Sequence, residues 1–106
     1  TSILTAIAND YGYEHTFARQ IEALVDKGDI VFGISTSGSS ENVVRAIIEA
    51  NKKGAHTIAL TGKSGGKLKA YANKTIFVNS ELTPIIQETH IAILHMLCME
   101  VEKKLE

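Results

Sequence analysis

The chain has 106 residues, a formal net charge of -1, and 44% hydrophobic against 22% charged residues, the make-up of one small globular domain with a single core. No clustered run of Lys and Arg is present to neutralise a nucleic-acid backbone, and no apolar run approaches the ~20 residues of a membrane span. Cys98 is the only cysteine, so an internal disulfide is excluded, and the N-terminal stretch TSILTAIANDYG lacks the basic region of a signal or transit peptide. The expected setting is the cytoplasm, with the lone thiol a small core residue.

Ahead of the first strand, Asn9 and Asp10 are turn-favouring residues placed to end a first helix. Three short runs rich in β-branched residues follow: DIVFGI from Asp29 to Ile34, HTIALT from His56 to Thr61, and KTIFVN from Lys74 to Asn79. None alternates cleanly, which suits parallel strands covered on both faces. Between the first two, Val43, Val44, Ala46, Ile47, Ile48 and Ala50 form a wide apolar stripe on a helix from Glu41 to Lys53, with Gly54 as the residue that stops it. Leu68 to Ala72 is a short second helix. The order strand–helix–strand–helix–strand–helix predicts an α/β layered domain.

The last helix has Thr83 as the expected N-cap and Pro84, the only proline, at the first helical position. Ile91, Leu94, Cys98, Val101 and Leu105 make one stripe along it, and Ile86, His90, Ile93 and Leu97 a second. Two stripes exceed what a small sheet covers, so the surplus is expected to pack against another subunit. The end of this helix, Glu102 to Glu106, reads as solvated.

Residues 35 to 40 of the stretch GISTSGSSENVV carry hydroxyls at five of six positions. The loop follows a strand and opens a helix, where an open α/β sheet binds its ligands and where unpaired N–H groups favour an anion. Ser35, Thr36, Ser37 and Ser40 supply short donors, and Gly38 allows close backbone approach. Two readings fit: a phosphate cradle, or a Ser-rich turn that only caps a helix. No Gly-Lys-Ser/Thr closes the loop, so it is not a Walker motif.

The segments GISTSGSSENVVRAI, TIALTGKSGGKL and IIQETHIAILH, with an Asn-Asp pair ahead of them, resemble the sugar isomerase (SIS) domain, and within it the phosphoheptose isomerases. The resemblance spans nearly all of residues 1 to 106 as a single domain. It implies a three-layer sandwich with a parallel, flavodoxin-like sheet, incomplete at the N-terminus. It also implies aldose–ketose isomerisation of sedoheptulose 7-phosphate to D-glycero-D-manno-heptose 7-phosphate through an enediol(ate), for cell-surface polysaccharide such as lipopolysaccharide.

The resemblance assigns the phosphate to Ser35, Thr36, Ser37 and Ser40, and further substrate contacts to Asn9, Asp10 and Gln87. Gln87 and His95 are implied as zinc ligands, and His95 also as a proton-transfer residue, a role that histidine fills readily near neutral pH. The implied assembly is a homotetramer with active sites at subunit interfaces. His90 is expected to pack rather than react, His15 and His56 to lie at the surface or a strand end, and Gly62, Gly65 and Gly66 to shape a turn.

The family carries an N-terminal helical segment, a first strand and an Asn-Gly-Gly loop, with a His and a Glu zinc ligand on the helix after it. None of these is found from Thr1 onward, so the resemblance implies a C-terminal portion that does not turn over substrate by itself. Ser39 stands where the family usually has Asn, Ser64 where Asp is common and Ile85 where Arg is frequent. Gln87 and His95, eight residues apart, sit ~12 Å apart along a straight helix, so the two ligands are expected from different subunits, although Gln87 and His90 have the easier chelating spacing. The rival reading is a non-catalytic SIS protein similar to the DnaA initiator-associating protein, which departs from the isomerases at the position of His95.

Overall fold

A computed structural model describes all residues from Thr1 to Glu106. Three parallel strands, β1 (Ile30–Ile34), β2 (His56–Thr61) and β3 (Lys74–Phe77), form one sheet in the order β1-β2-β3. Parallel neighbours need crossovers, and the helices supply them: α3 (Glu41–Lys52) joins β1 to β2 and α4 (Leu68–Tyr71) joins β2 to β3. Before the sheet come α1 (Ser2–Tyr11), a 3-10 turn at Tyr13–His15 and α2 (Ala18–Leu24); after it comes the long α5 (Thr83–Leu105). The expected elements are all present, and β2 has the predicted bounds.

Two details differ. Leu82 rather than Thr83 is the N-cap of α5, and Pro84 occupies the second helical position. A missing N–H costs nothing at either place, because neither N–H has an intrahelical acceptor. Cys98 is exposed on the far half of α5 and is not a core residue of this chain.

Ile30 pairs with His56 and Ile58 with Lys74, so Gly33, Ala59 and Thr75 align across the sheet on one face. That face meets α3 and α4, with Val44, Ile47, Ala59 and Leu68 as the core cluster. Ile47, Leu60 and Leu68 are fully buried, each worth roughly 1.5–3 kcal/mol relative to exposure. Gly33 is what lets α3 lie so close: a Cβ there would meet Ile47 Cγ1 at 2.8 Å. Gly54, at φ +80°, ends α3 as expected.

The other face receives α5, giving the third layer, but only in part. Ile86 and His90 are the buried residues of α5, while Ile30, Phe32, Ile34 and Ile76 on the sheet remain exposed. A polar clamp fixes β2 to its neighbours. The Thr57 hydroxyl, fully buried, donates to Asn51 Oδ1 at 2.8 Å and accepts the Asn73 N–H at 2.9 Å.

Candidate functional site

All three strands end at the same edge, and the loops after them build one open cleft there. Its wall includes Ser35, Thr36, Ser37 and Ser40 from the loop after β1, Lys63 and Ser64 from the loop after β2, Lys69 from α4, and Ser80 and Glu81 from the loop after β3. The loops are stitched by backbone bonds: the Gly62 N–H donates to Thr36 O at 3.0 Å and the Lys63 N–H to Ser80 O at 3.3 Å.

Within the first loop Ser35 organises the rest. It is 4% exposed, and its Oγ lies 2.9 Å from Ser40 Oγ and 3.4 Å from Ser37 Oγ. It also accepts the Ser40 N–H at 3.4 Å. Ser40 is the N-cap of α3, yet its side chain caps nothing. Its hydroxyl is turned to Ser35 instead; Asn42 Oδ1 takes the Val43 N–H at 2.9 Å, and the Glu41 and Asn42 N–H groups at the start of α3 have no acceptor. Thr36 and Ser37 also have backbone N–H groups with no partner in the chain. Donors with no acceptor at a helix start are suited to an anion.

Ser39, the fifth hydroxyl, faces elsewhere and accepts the Lys67 N–H at 3.2 Å. Gly38 carries φ +70°, and its carbonyl accepts the Leu68 N–H at 2.9 Å. The loops after β1 and β2 therefore touch through backbone.

Glu41, in the first turn of α3, accepts from Arg45 Nε at 3.0 Å and has Lys67 Nζ at 3.6 Å. The Arg45 hydrogen bond, with Lys67 adding its charge, holds the Glu41 carboxyl below the usual carboxylate range. A depressed folded-state pKa contributes stability that is present above the unfolded pKa and disappears as pH falls through the folded one. The denaturation midpoint of the full-length protein is therefore expected to fall below about pH 4 by more than that of a Glu41→Gln variant. Parallel acid limbs in urea titrations at stepped pH would dismiss the link. Arg45 also donates through Nη1 to His15 Nε2 at 3.0 Å, so that imidazole nitrogen is the unprotonated one.

Gln87 on α5 reaches the cleft rim, its Nε2 donating to Thr36 Oγ1 at 3.4 Å. It lines an adjoining recess with Ile34, Thr36, His90, Ile91 and Leu94. His90 lies behind it, 4% exposed, with Nε2 at 2.9 Å from the Thr61 carbonyl. A carbonyl only accepts, so Nε2 bears the hydrogen, and the residue pins α5 to the end of β2, the packing role expected of it.

The remaining predicted residues lie apart. His95 is exposed, eight residues along α5 from Gln87, and lines neither recess. Asn9 and Asp10 are exposed in the last turn of α1 and bond to each other at 2.9 Å. Asp10 lines a groove with Ile3, Ile7, Tyr11 and Arg19, away from the hydroxyl loop. No group of three or more His, Cys, Asp or Glu side chains has metal-binding geometry. Gln87 and His95 of one chain do not fit a shared zinc ion, being ~12 Å apart along the helix axis.

Sequence reasoning did not single out Lys63, Lys69, Ser80 or Glu81. The signal was available, since each follows the carboxyl end of a strand or opens the next helix, the edge where such sheets bind ligands.

The family model for the SIS domain matches residues 3–99. A phosphoheptose isomerase of Nitratiruptor sp. is 56% identical over 103 residues, 97% of this chain and 55% of that protein. The solved phosphoheptose isomerase of Neisseria gonorrhoeae superposes with a TM-score of 0.89 at 46% identity, over 92% of this chain and 55% of that one. The solved phosphoheptose isomerase of Francisella tularensis gives a TM-score of 0.89 at 42% identity, covering 92% of this chain and 52% of its own. The chain thus spans about half the length of the relatives it resembles. No helix is long and apolar enough to cross a membrane.

Proposed function

The chain belongs to the SIS domain family, and from that premise we propose that the full-length protein is a phosphoheptose isomerase. It interconverts sedoheptulose 7-phosphate and D-glycero-D-manno-heptose 7-phosphate, supplying heptose for cell-surface polysaccharide in the cytoplasm. The observation that carries the reading is the single cleft lined by Ser35, Thr36, Ser37 and Ser40, with Gln87 bonded to its rim. The relatives at 46% and 56% identity are named for this activity.

In this reading the sugar phosphate sits against the hydroxyl loop and the free N–H groups at the start of α3. Its carbon chain then runs past Thr36 toward Gln87, which donates to a substrate oxygen. A base removes the proton beside the carbonyl, and an acid returns one to the neighbouring carbon, by way of an enediol(ate). His95 has the chemistry for that transfer. Because it stands away from its own chain's cleft, it serves the site of a second copy. Gln87 of one copy and His95 of another would hold a zinc ion, which would supply Lewis-acid polarisation of the substrate carbonyl.

A homotetramer is the proposed assembly. The exposed apolar side chains of the sheet and of the far half of α5, among them Phe32, Ile34, Met96 and Val101, favour burial between subunits.

The test is turnover of sedoheptulose 7-phosphate by the full-length protein and by Ser40→Ala. Wild-type turnover is expected, with KM raised roughly tenfold in the variant for one lost hydrogen bond to a charged group. Binding of the sugar phosphate with no turnover by the wild type places the protein instead among non-catalytic SIS binders.

A further inference from the structure

We propose that Lys69, seconded by Lys63, reads the charge of the substrate's anionic group in the cleft, complementing the neutral donors of the hydroxyl loop. The inference rests on the isomerase reading and names two specificity-determining residues for it. Three lysines lie on or beside the loop after β2, and the structure separates them. Lys67 pairs with Glu41 at 3.6 Å, outside the cleft wall. Lys63 and Lys69 line the wall and pair with no carboxylate.

Gly65 shows how Lys69 is placed. A Cβ at this residue would stand 2.5 Å from Phe77 Cε1 and 3.0 Å from both Cβ and Cδ of Lys69. The Phe77 ring and the lysine stem therefore share the space a side chain at Gly65 would take, and Lys69 so placed lines the cleft. Gly65 has φ +75°, so the backbone conformation and the crowding at its Cβ position ask for the same residue.

Charge supplies the reason. Every donor on the hydroxyl loop is neutral, whereas a phosphate monoester carries about -1.5 to -2 near neutral pH. The cleft also includes one carboxylate, Glu81, which opposes an anion. Two ammonium groups against that single carboxylate leave the wall net cationic by one charge. Neutral hydroxyls alone distinguish a phosphorylated sugar poorly from a neutral one, while a directed ammonium distinguishes them strongly.

The experiment uses the full-length protein with Lys69→Met, Lys63→Met, the double variant and Lys69→Arg. Methionine keeps the apolar stem and removes the charge, so loss of packing is not confounded with loss of attraction. KM for sedoheptulose 7-phosphate is expected to rise roughly tenfold in Lys69→Met and further in the double variant, with a smaller change in kcat. Inhibition by inorganic phosphate should weaken by a similar factor, and Lys69→Arg should largely restore both. Unchanged KM and phosphate inhibition in the double variant overturn the proposal. A wild type without turnover sinks the isomerase reading alone. Calorimetric titration with inorganic phosphate then decides the lysines, tenfold weaker binding in Lys69→Met upholding them and equal binding refuting them.

Discussion

Alanine at Gly38 is expected to destabilise the full-length protein by about 3–5 kcal/mol, against about 1 kcal/mol for alanine at Gly28. Both glycines have positive φ, +70° and +91°, so both substitutions force an L-residue into the left-handed region. They differ in what the new methyl meets. At Gly28 nothing lies within 4 Å, whereas at Gly38 the Cβ would fall 2.3 Å from Gly65 O and 2.9 Å from Gly66 N. Those obstacles are backbone and cannot rotate aside. Relief requires the two loops to separate, at the expense of the Leu68 N–H bond to Gly38 O and the Lys67 N–H bond to Ser39 Oγ. Urea denaturation of the two variants isolates the loop contact, because the dihedral strain is common to both. Equal midpoints would mean that the loops part without cost. Substrate affinity should fall with stability in Gly38→Ala, since the same contact holds Ser37 and Lys69 on one cleft wall.

That contact marks the limit of what the sequence reveals. Within one segment, pattern suffices: the apolar stripe of α3 and its stop at Gly54 are local, and so is the β-branched run of β2. The hydroxyl loop is equally local, and four of its hydroxyl residues line one cleft. What escapes is any property made by bringing segments together. Gly62, Gly65 and Gly66 read as turn residues, but Gly66 is also required by proximity, its Cβ position lying 2.5 Å from Gly38 C. Lys69 is an ordinary surface lysine until β2 is laid beside β1. On α5 the two apolar stripes are plain, but periodicity does not reveal that the chain buries only the near end of the helix. The sheet takes Ile86 and His90, and leaves Ile91, Leu97, Val101 and Leu105 exposed. The cap of α5 slips by one residue for a similar reason, because proline fits the first and second helical positions alike.

His95→Gln is expected to lower kcat of the full-length protein by roughly 10²–10⁴ while leaving the fold of the subunit intact. The side chain is exposed in its own chain and makes no hydrogen bond there, so its loss opens no cavity. His90 supplies the contrast. It is buried and bonded to the Thr61 carbonyl, so His90→Ala should lower the denaturation midpoint while sparing most of kcat in the protein that remains folded. His95→Gln should do the reverse. A second arm asks whose histidine serves which cleft. Gln87→Ala and His95→Gln chains, each weakly active alone, are co-expressed and the mixed oligomers purified. If Gln87 and His95 of one site come from different copies, random mixing regenerates about a quarter of the sites with both residues intact. If both come from one copy, every site keeps a defect and mixing restores nothing. Recovery would tie catalysis to the assembly, since the distance between the two residues along α5 keeps a single chain from presenting them to one substrate atom. Failure to recover, with kcat still lost in His95→Gln, would require the substrate to extend along α5 from the hydroxyl loop.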